Sequence, residues 1–147
     1  LGKMVAAGGR HTVLLRSDGT VVACGDTAVG QCNLPMVAGG GSYAQVAAGE
    51  LHTVLLSSDG AAVACGSNYW GECDLPALES GQSYAQVAAG EFHTVLLRSD
   101  GTAVACGSTY RGQCDLPALA GGESYTQVAA GSLHTVLLRN DGTALAC

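Results

Sequence analysis

Short apolar runs, each broken by glycine or by a polar turn, follow one another along the whole chain. In a representative stretch the runs read YAQVAAG, HTVLL and TAVACG. In the second run, His93, Val95 and Leu97 fall on one side and Thr94 and Leu96 on the other, which is the alternation of a β-strand. Because both sides are largely apolar, the pattern predicts a strand that is buried between two neighbours.

Turn residues separate these strands and argue against helices. The sequence Ser99-Asp100-Gly101 lies between the second and third runs, and Asp-Gly supplies the positive φ of a tight hairpin at little steric cost. Farther on, Pro117 cannot donate to a strand ladder, so it suits an edge strand or a loop. No ten-residue stretch combines a helical period with freedom from glycine and proline, and we therefore expect almost no helix.

The pattern repeats with a period of 41 residues. The residues that mark this period include the four histidines, His11, His52, His93 and His134. We interpret the chain, residues 1–147, as a single repeat domain with units of about 1–41, 42–82, 83–123 and 124–147.

The repeat predicts an all-β fold. A three-stranded antiparallel sheet that is apolar on both faces is not stable alone, so each unit must stack on the next. Radial stacking of sheets from repeats of ~40 to 50 residues gives a β-propeller, whose blades have up to four strands. A parallel solenoid is the alternative, but the Asp-Gly hairpin inside each unit disfavours it. We therefore expect a propeller segment of about four blades, each with three to four strands.

Composition narrows the function classes. The chain is 48% apolar, and its net charge of -6 repels phosphate backbones, so we expect no direct binding of nucleic acid. No apolar stretch approaches the ~20 residues of a membrane span. No phosphate-binding loop is present, and we predict no cofactor.

The recurring polar residues are predicted to be structural. A site is normally singular, whereas each histidine recurs in every unit, so we expect the imidazoles to hydrogen-bond nearby backbone. Equivalent atoms on packed sheets are ~10 Å apart, too far for one shared metal ion, and we predict no metal. The aspartates recur in hairpin turns, which makes a nucleophilic triad improbable, and we predict that the protein is not an enzyme.

The seven cysteines fall into two columns that are eight residues apart. Two states fit this spacing: buried free thiols that act as small apolar side chains, or one disulfide in each unit across a turn-rich loop. The disulfides would be Cys24–Cys32, Cys65–Cys73 and Cys106–Cys114.

Function is expected where the units differ, which is mainly the loop after the third strand. Trp, Tyr and Arg are the side chains enriched at binding hot spots. The candidate partner-binding residues in these loops are Asp26, Asn68, Tyr69, Trp70, Tyr110 and Arg111. Packing of the aromatic side chains on their own blades is the alternative. A second variable column precedes each histidine, and we expect its apolar members, Leu51, Phe92 and Leu133, to lie in the core between blades.

The run VAAGEFHTVLLRSDGTAVACGSTYRGQC resembles the repeat of the regulator of chromosome condensation family. The shared features are a glycine before a His-Thr pair, an apolar strand, an Asp-Gly turn, a strand that ends in glycine, and a Gly-Gln loop. The compact unit, with Leu-Pro after that loop, is similar to the propeller-type β-lactamase inhibitor proteins of the same superfamily. Both relatives form seven-bladed propellers, so the resemblance implies part of a seven-bladed propeller that serves as a protein-binding platform. This chain departs from the family in carrying cysteine where tryptophan is usual, at Cys24, Cys65, Cys106 and Cys147.

With about four of seven blades present, we expect the chain to be a segment of a longer repeat protein. It opens inside a first strand, where Lys3 aligns with Ala44. The remaining blades would come from the same longer chain or from a neighbouring chain.

The sequence therefore predicts a noncatalytic protein-binding scaffold that uses the variable loops on one rim, with another protein as its partner. A structural subunit or spacer in a large assembly is one alternative. A nucleotide-exchange regulator of a small GTPase, which the resemblance allows, is the other.

Overall fold

The computed structural model describes residues 4–147, which form four antiparallel sheets of three strands each. In every sheet the strands lie in chain order, with the second strand in the middle. The strands are Val5–Ala7 (β1), His11–Leu15 (β2), Val21–Gly25 (β3), Tyr43–Ala48 (β4), His52–Ser57 (β5), Ala62–Gly66 (β6), Tyr84–Ala89 (β7), His93–Arg98 (β8), Ala103–Gly107 (β9), Tyr125–Ala130 (β10), Thr135–Arg139 (β11) and Ala144–Ala146 (β12).

The expected all-β architecture is confirmed, and each blade has three strands. The segment after the third strand, which carries the Leu-Pro pair, is irregular chain. Within residues 4–147 the one helical element is the short 3₁₀ turn Ala38–Gly40. The predicted alignment of Lys3 with Ala44 lies outside the described residues.

Each Asp-Gly pair forms the hairpin between the second and third strands. In the third blade, the Gly101 N–H donates to the Arg98 carbonyl at 3.0 Å, and Gly101 has a φ of 84°. This is a type I turn followed by a left-handed glycine, which is why glycine is needed there. The Asp100 carboxylate accepts a hydrogen bond from the Thr102 N–H at 2.9 Å and closes the turn.

The same turn fixes the start of the next blade. The Gly101 carbonyl accepts a hydrogen bond from the Tyr125 N–H at 2.7 Å, and Gly60 and Gly19 make the same contact one and two blades earlier, respectively. A Cβ atom on Gly101 would lie 2.5 Å from the Ser124 Cβ, because the two blades meet closely here. The hairpin therefore sets the position of each blade relative to its neighbour.

The hydrophobic core lies between blades. In β5 all six residues are buried, and its apolar residues belong to two different hydrophobic clusters. Leu55 packs with Val13 of the first blade, whereas Val54 packs with Val87 of the third. The prediction of a central strand buried on both sides is thus confirmed, and it explains why a single blade could not bury its own apolar surface.

Polar contacts close the seams between blades at two further points. The Tyr84 hydroxyl of β7 donates to the Pro76 carbonyl in the preceding loop at 2.5 Å. The Val87 N–H donates to the side-chain oxygen of Gln45 in β4 at 2.7 Å. First strands of successive blades contact one another, which puts them on the inner side of the arc. Within residues 4–147 the four blades form an open arc and not a closed ring.

Candidate functional site: the aromatic cleft on the loop face

The four recurring histidines were expected to hydrogen-bond nearby backbone, but three of them bind the next blade. His52 Nε2 lies 3.0 Å from the Thr94 hydroxyl, and that hydroxyl donates to the Glu72 backbone carbonyl at 2.7 Å. Since the hydroxyl proton is used by the carbonyl, His52 Nε2 must be the donor in the first contact. We call this arrangement the His–Thr link. Its three copies start at His11, His52 and His93.

Burial keeps these imidazoles neutral. It lowers the pKa of His52 to about 4, and it also lowers the pKa of His11 and of His93. The Nδ1 atoms of all three have no hydrogen-bond partner among residues 4–147, so a second proton would find no acceptor. In the part of the chain that the structure describes, no group of three or more His, Cys, Asp or Glu side chains is arranged to hold a metal ion. The histidines therefore act as connections between blades.

All seven cysteines are free thiols in the structure, and the three candidate disulfides are not formed. The two columns bind different acceptors. The Cys73 thiol donates to the Ser67 carbonyl of its own loop at 3.1 Å, whereas the Cys65 thiol donates to the Gln31 carbonyl of the preceding blade at 3.7 Å. Burial raises the pKa of Cys65 to about 11 and that of Cys73 to about 12. These thiols stay protonated near neutral pH, which makes them poor nucleophiles and poor metal ligands.

The variable residues lie on one side of the sheets, which we call the loop face. It carries the connection from first to second strand and the loop after the third strand. Here the second, third and fourth blades enclose a cavity of about 330 Å³, which we call the aromatic cleft. Its walls are Trp70, Glu91, Phe92, Ser108, Tyr110, Arg111, Gln113 and Leu133.

Aromatic contacts shape the cleft. The ring centroids of Trp70 and Phe92 are 6.2 Å apart and belong to adjacent blades. The Arg111 guanidinium carbon lies 5.4 Å from the centre of the Tyr110 ring, which is a cation–π distance. Trp70 is 48% exposed and Tyr110 81% exposed, so much of this apolar surface faces solvent.

Buried polar side chains hold the two loop tips in place. The Trp70 N–H donates to the Glu72 carboxylate at 2.8 Å, and the Arg111 N–H donates to the Gln113 side-chain oxygen at 2.8 Å. Glu72 and Gln113 are almost fully buried. The Ser67 hydroxyl also donates to the Glu72 carboxylate, at 2.7 Å. The backbone beneath the aromatic side chains is therefore held in place by these hydrogen bonds.

Three other candidate residues lie outside the cleft. Tyr69 is 84% exposed and contacts the Trp70 ring edge-on, at 5.2 Å between centroids. The Asn68 side-chain amide donates to the Asp74 carboxylate at 2.8 Å and thereby closes its own loop. Asp26 does the same in the first blade, where its carboxylate accepts the Ala28 N–H at 2.9 Å.

Sequence reasoning assigned Phe92 and Leu133 to the core between blades, and this was wrong. Both side chains line the aromatic cleft, and neither belongs to the buried clusters. The physical reason is their position: they lie in the connection between first and second strands, beyond the last layer of core residues. Their variation from unit to unit, from Arg10 to Leu133, was the signal that could have identified them.

A second cavity lies beside the aromatic cleft, at the inner ends of the first strands. This axial depression has a volume of about 230 Å³ and is lined mainly by the Ala-Gly segments that follow the four first strands. Its polar side chains are Glu50, Glu91 and Ser132. Glu91 lines both cavities.

The sequence profile described as "Regulator of chromosome condensation (RCC1) repeat" matches three segments of the chain, residues 5–31, 43–71 and 84–113. Each match runs from the first strand of a blade to the loop that bears the candidate residues. The chain belongs to the RCC1 repeat family. The resemblance inferred from the His-Thr pair, the Asp-Gly turn and the Gly-Gln loop is therefore confirmed.

Solved structures agree with the RCC1 repeat assignment at the level of the fold. Human WBSCR16 is similar over 97% of this chain and 47% of its own, with 20% identity and a TM-score of 0.81. Yeast RCC1 (Prp20), crystallised with Kap60 bound, is similar over 97% of this chain and 42% of its own, with 23% identity and a TM-score of 0.80. The ectodomain of the Arabidopsis thaliana receptor kinase ACR4 has 16% identity, with 99% and 55% of the two chains covered and a TM-score of 0.77.

The RCC1 repeat chain thus spans about half the length of these solved relatives. Curated protein sequences contain no match to it. Within residues 4–147, no helix has the length and apolar character that crossing a membrane requires.

Proposed function

We propose that this RCC1 repeat chain is a noncatalytic scaffold that binds another protein through the aromatic cleft. The observation that carries the proposal is the convergence of Trp70, Phe92, Tyr110 and Arg111 from two adjacent blades around one exposed cavity. Such side chains supply most of the energy at hot spots when a partner covers them. A volume of about 330 Å³ lies at the small end of ligand pockets, which suits the insertion of one or two side chains of a protein partner.

The surroundings of the cleft support binding over catalysis. His11, His52 and His93 are neutral and engaged in the His–Thr links, and the buried thiols stay protonated. The tips that carry Trp70 and Arg111 are held by buried polar groups, so little conformational entropy is lost when a partner binds.

Replacing both anchors tests the proposal. The full chain, with a photo-reactive phenylalanine analogue at Tyr110, is crosslinked in an extract of its source cells, and the products are identified by mass spectrometry. The identified partner is then purified, and its affinity is measured for the unlabelled chain and for the double variant Trp70→Ala/Arg111→Ala. We expect a loss of about 30-fold or more, as for two hot-spot residues.

The matched control is Met36→Ala, which removes another exposed apolar side chain, one remote from the cleft. Its affinity for the partner should equal that of the parent chain, and the circular dichroism of all variants should be unchanged. Equal affinity of the double variant and the parent chain would contradict the proposal. A structural subunit would instead be recovered only within an assembly, bound by surfaces that the double variant leaves intact.

A further inference from the structure

The loop face carries an excess of acidic side chains. Counted up to the Leu-Pro pair of each loop, it bears six acidic residues, Asp26, Glu50, Glu72, Asp74, Glu91 and Asp115, against two basic ones, Arg10 and Arg111. Of the six, Glu72 is buried beneath its loop, and the other five reach the surface. A face of this charge attracts a positively charged partner and repels an acidic one.

Two of these carboxylates line the axial depression without a cation, and they point toward opposite sides of it. Glu91 accepts a hydrogen bond from the Ser132 hydroxyl at 2.5 Å through one oxygen. Glu50 rests against the backbone of Gly9, where a Cβ atom would collide with its carboxylate. In residues 4–147 the one salt bridge joins Arg139 and Glu123, outside this depression. Neither Glu50 nor Glu91 is therefore neutralised by a basic side chain of the described chain.

The two cavities differ in the kind of side chain that suits them. The aromatic cleft already contains a cation, because the Arg111 guanidinium covers the Tyr110 ring. A second cation placed against the same ring would be repelled, so the cleft favours an uncharged apolar side chain. The axial depression is lined by glycine and alanine and carries two carboxylates, and this favours a long basic side chain. Glu91 lies in both linings, so the two side chains would come from neighbouring positions of one segment.

We propose that the partner protein binds the chain through a basic segment, an inference that rests on the proposed function. An uncharged apolar side chain of that segment enters the aromatic cleft, and a neighbouring lysine or arginine enters the axial depression and pairs with Glu91. Glu50, on the other side of the depression, adds to the negative potential that attracts this side chain. The cleft supplies affinity through apolar burial, and the carboxylates supply specificity and orientation.

Selection from a random peptide library tests the chemistry without knowledge of the partner. Phage that display the peptides are selected on the immobilised full chain, and the enriched peptides are synthesised with a fluorescent label. Their binding is measured by anisotropy at low and high sodium chloride, with the parent chain and with the variants Trp70→Ala, Glu50→Gln/Glu91→Gln and Glu79→Gln. Glu79 is an exposed carboxylate outside both cavities, so Glu79→Gln is the matched charge control.

We expect the enriched peptides to carry an apolar residue beside a lysine or arginine. Glu50→Gln/Glu91→Gln should weaken their binding about tenfold and flatten its salt dependence, because the ion pair with Glu91 and the negative charge of Glu50 are both lost. Glu79→Gln should leave binding unchanged.

The two proposals fail in different ways. Peptides that need Trp70 but are neutral or acidic, and that bind Glu50→Gln/Glu91→Gln as well as the parent chain, would overturn the basic segment and leave the aromatic cleft standing. Peptides that bind Trp70→Ala undiminished, or the absence of any enrichment, would overturn the aromatic cleft as the binding site and the basic segment with it.

Discussion

At the scale of single residues, the recurring histidine and threonine side chains connect blades. In the His–Thr link, a hydroxyl on one blade joins an imidazole and a backbone carbonyl of the preceding blade. These groups are buried, so each would be costly if it lost its partner. These buried polar groups therefore stabilise the contacts between blades, as the apolar core residues do.

Removing one hydroxyl should show this cost. Thr94→Val keeps the shape of the side chain but leaves His52 Nε2 and the Glu72 carbonyl without their shared partner. We expect the free energy of unfolding to fall by about 2 kcal/mol or more, measured by urea denaturation. Thr12→Val is the matched control, because Thr12 occupies the same strand position in the first blade and is only partly buried. A loss as large for Thr12→Val as for Thr94→Val would contradict a specific role for the link.

The buried histidines predict how stability depends on pH. The pKa of each buried histidine is lower in the folded chain than its ordinary value of 6.5. At a pH between the folded and the unfolded pKa, the unfolded chain therefore binds more protons than the folded chain. The contribution of these neutral histidines to the free energy of unfolding is complete above pH 6.5 and is lost as the pH falls. For His52 the loss is about 3 kcal/mol by pH 4.

Denaturation midpoints measured from pH 7 to pH 4 check this dependence. A His52→Gln variant should show a shallower decline, whereas Met36→Ala, at an exposed residue that does not titrate, should decline like the parent chain. A parent chain whose stability is constant over this range would show that the folded and unfolded chains bind equal numbers of protons.

At the scale of elements, the hairpin and the buried strand were predictable, and the cleft was predictable only in part. The Asp-Gly turns and the two-sided apolar pattern of HTVLL are local signals, and the strands that they predicted, such as β8 and β9, are confirmed. Trp70, Tyr110 and Arg111 were selected because they vary between units, and they meet in one cavity. Phe92 was misassigned because an apolar residue beside a strand looks the same in sequence whether it faces the core or a cavity.

The hairpin glycine should be needed for two separable reasons. Gly101→Ala would place a side chain at positive φ and also drive its Cβ atom into Ser124 of the next blade. Gly142 has the same kind of turn, with a φ of 87°, but a Cβ atom there would meet nothing within 4 Å. We expect Gly142→Ala to cost about 1 kcal/mol and Gly101→Ala at least twice that, measured by thermal denaturation. Equal costs would show that contact between blades adds nothing to the strain of the turn.

At the scale of the whole molecule, stability is the sum of contacts between neighbours. Each of the three hydrophobic clusters joins two successive blades. Each middle blade therefore contributes to two clusters and each outer blade to one. The number of blades in the described arc could be inferred from the period. The partner could not, because the residues that would recognise it differ between units and form no motif.

Amide hydrogen exchange should reveal this gradient. We expect the slowest exchange in β5 and β8, whose residues are buried on both sides, and the fastest in β1 and β12, which are largely exposed. Exchange followed by mass spectrometry of peptic fragments resolves the strands. Uniform protection across all twelve strands would show instead that the array opens only as a single cooperative unit.

The His–Thr link has a fixed polarity: in each of its three copies the imidazole belongs to the earlier unit and the hydroxyl to the later one. A copied unit, inserted in register, would find a matching group on both sides and would disturb no existing connection. Adding or removing whole units therefore preserves the His–Thr contacts between the remaining blades. The exposed loops after the third strands can then change in one unit at a time, so a new binding specificity can arise without a change in the contacts that hold the blades together.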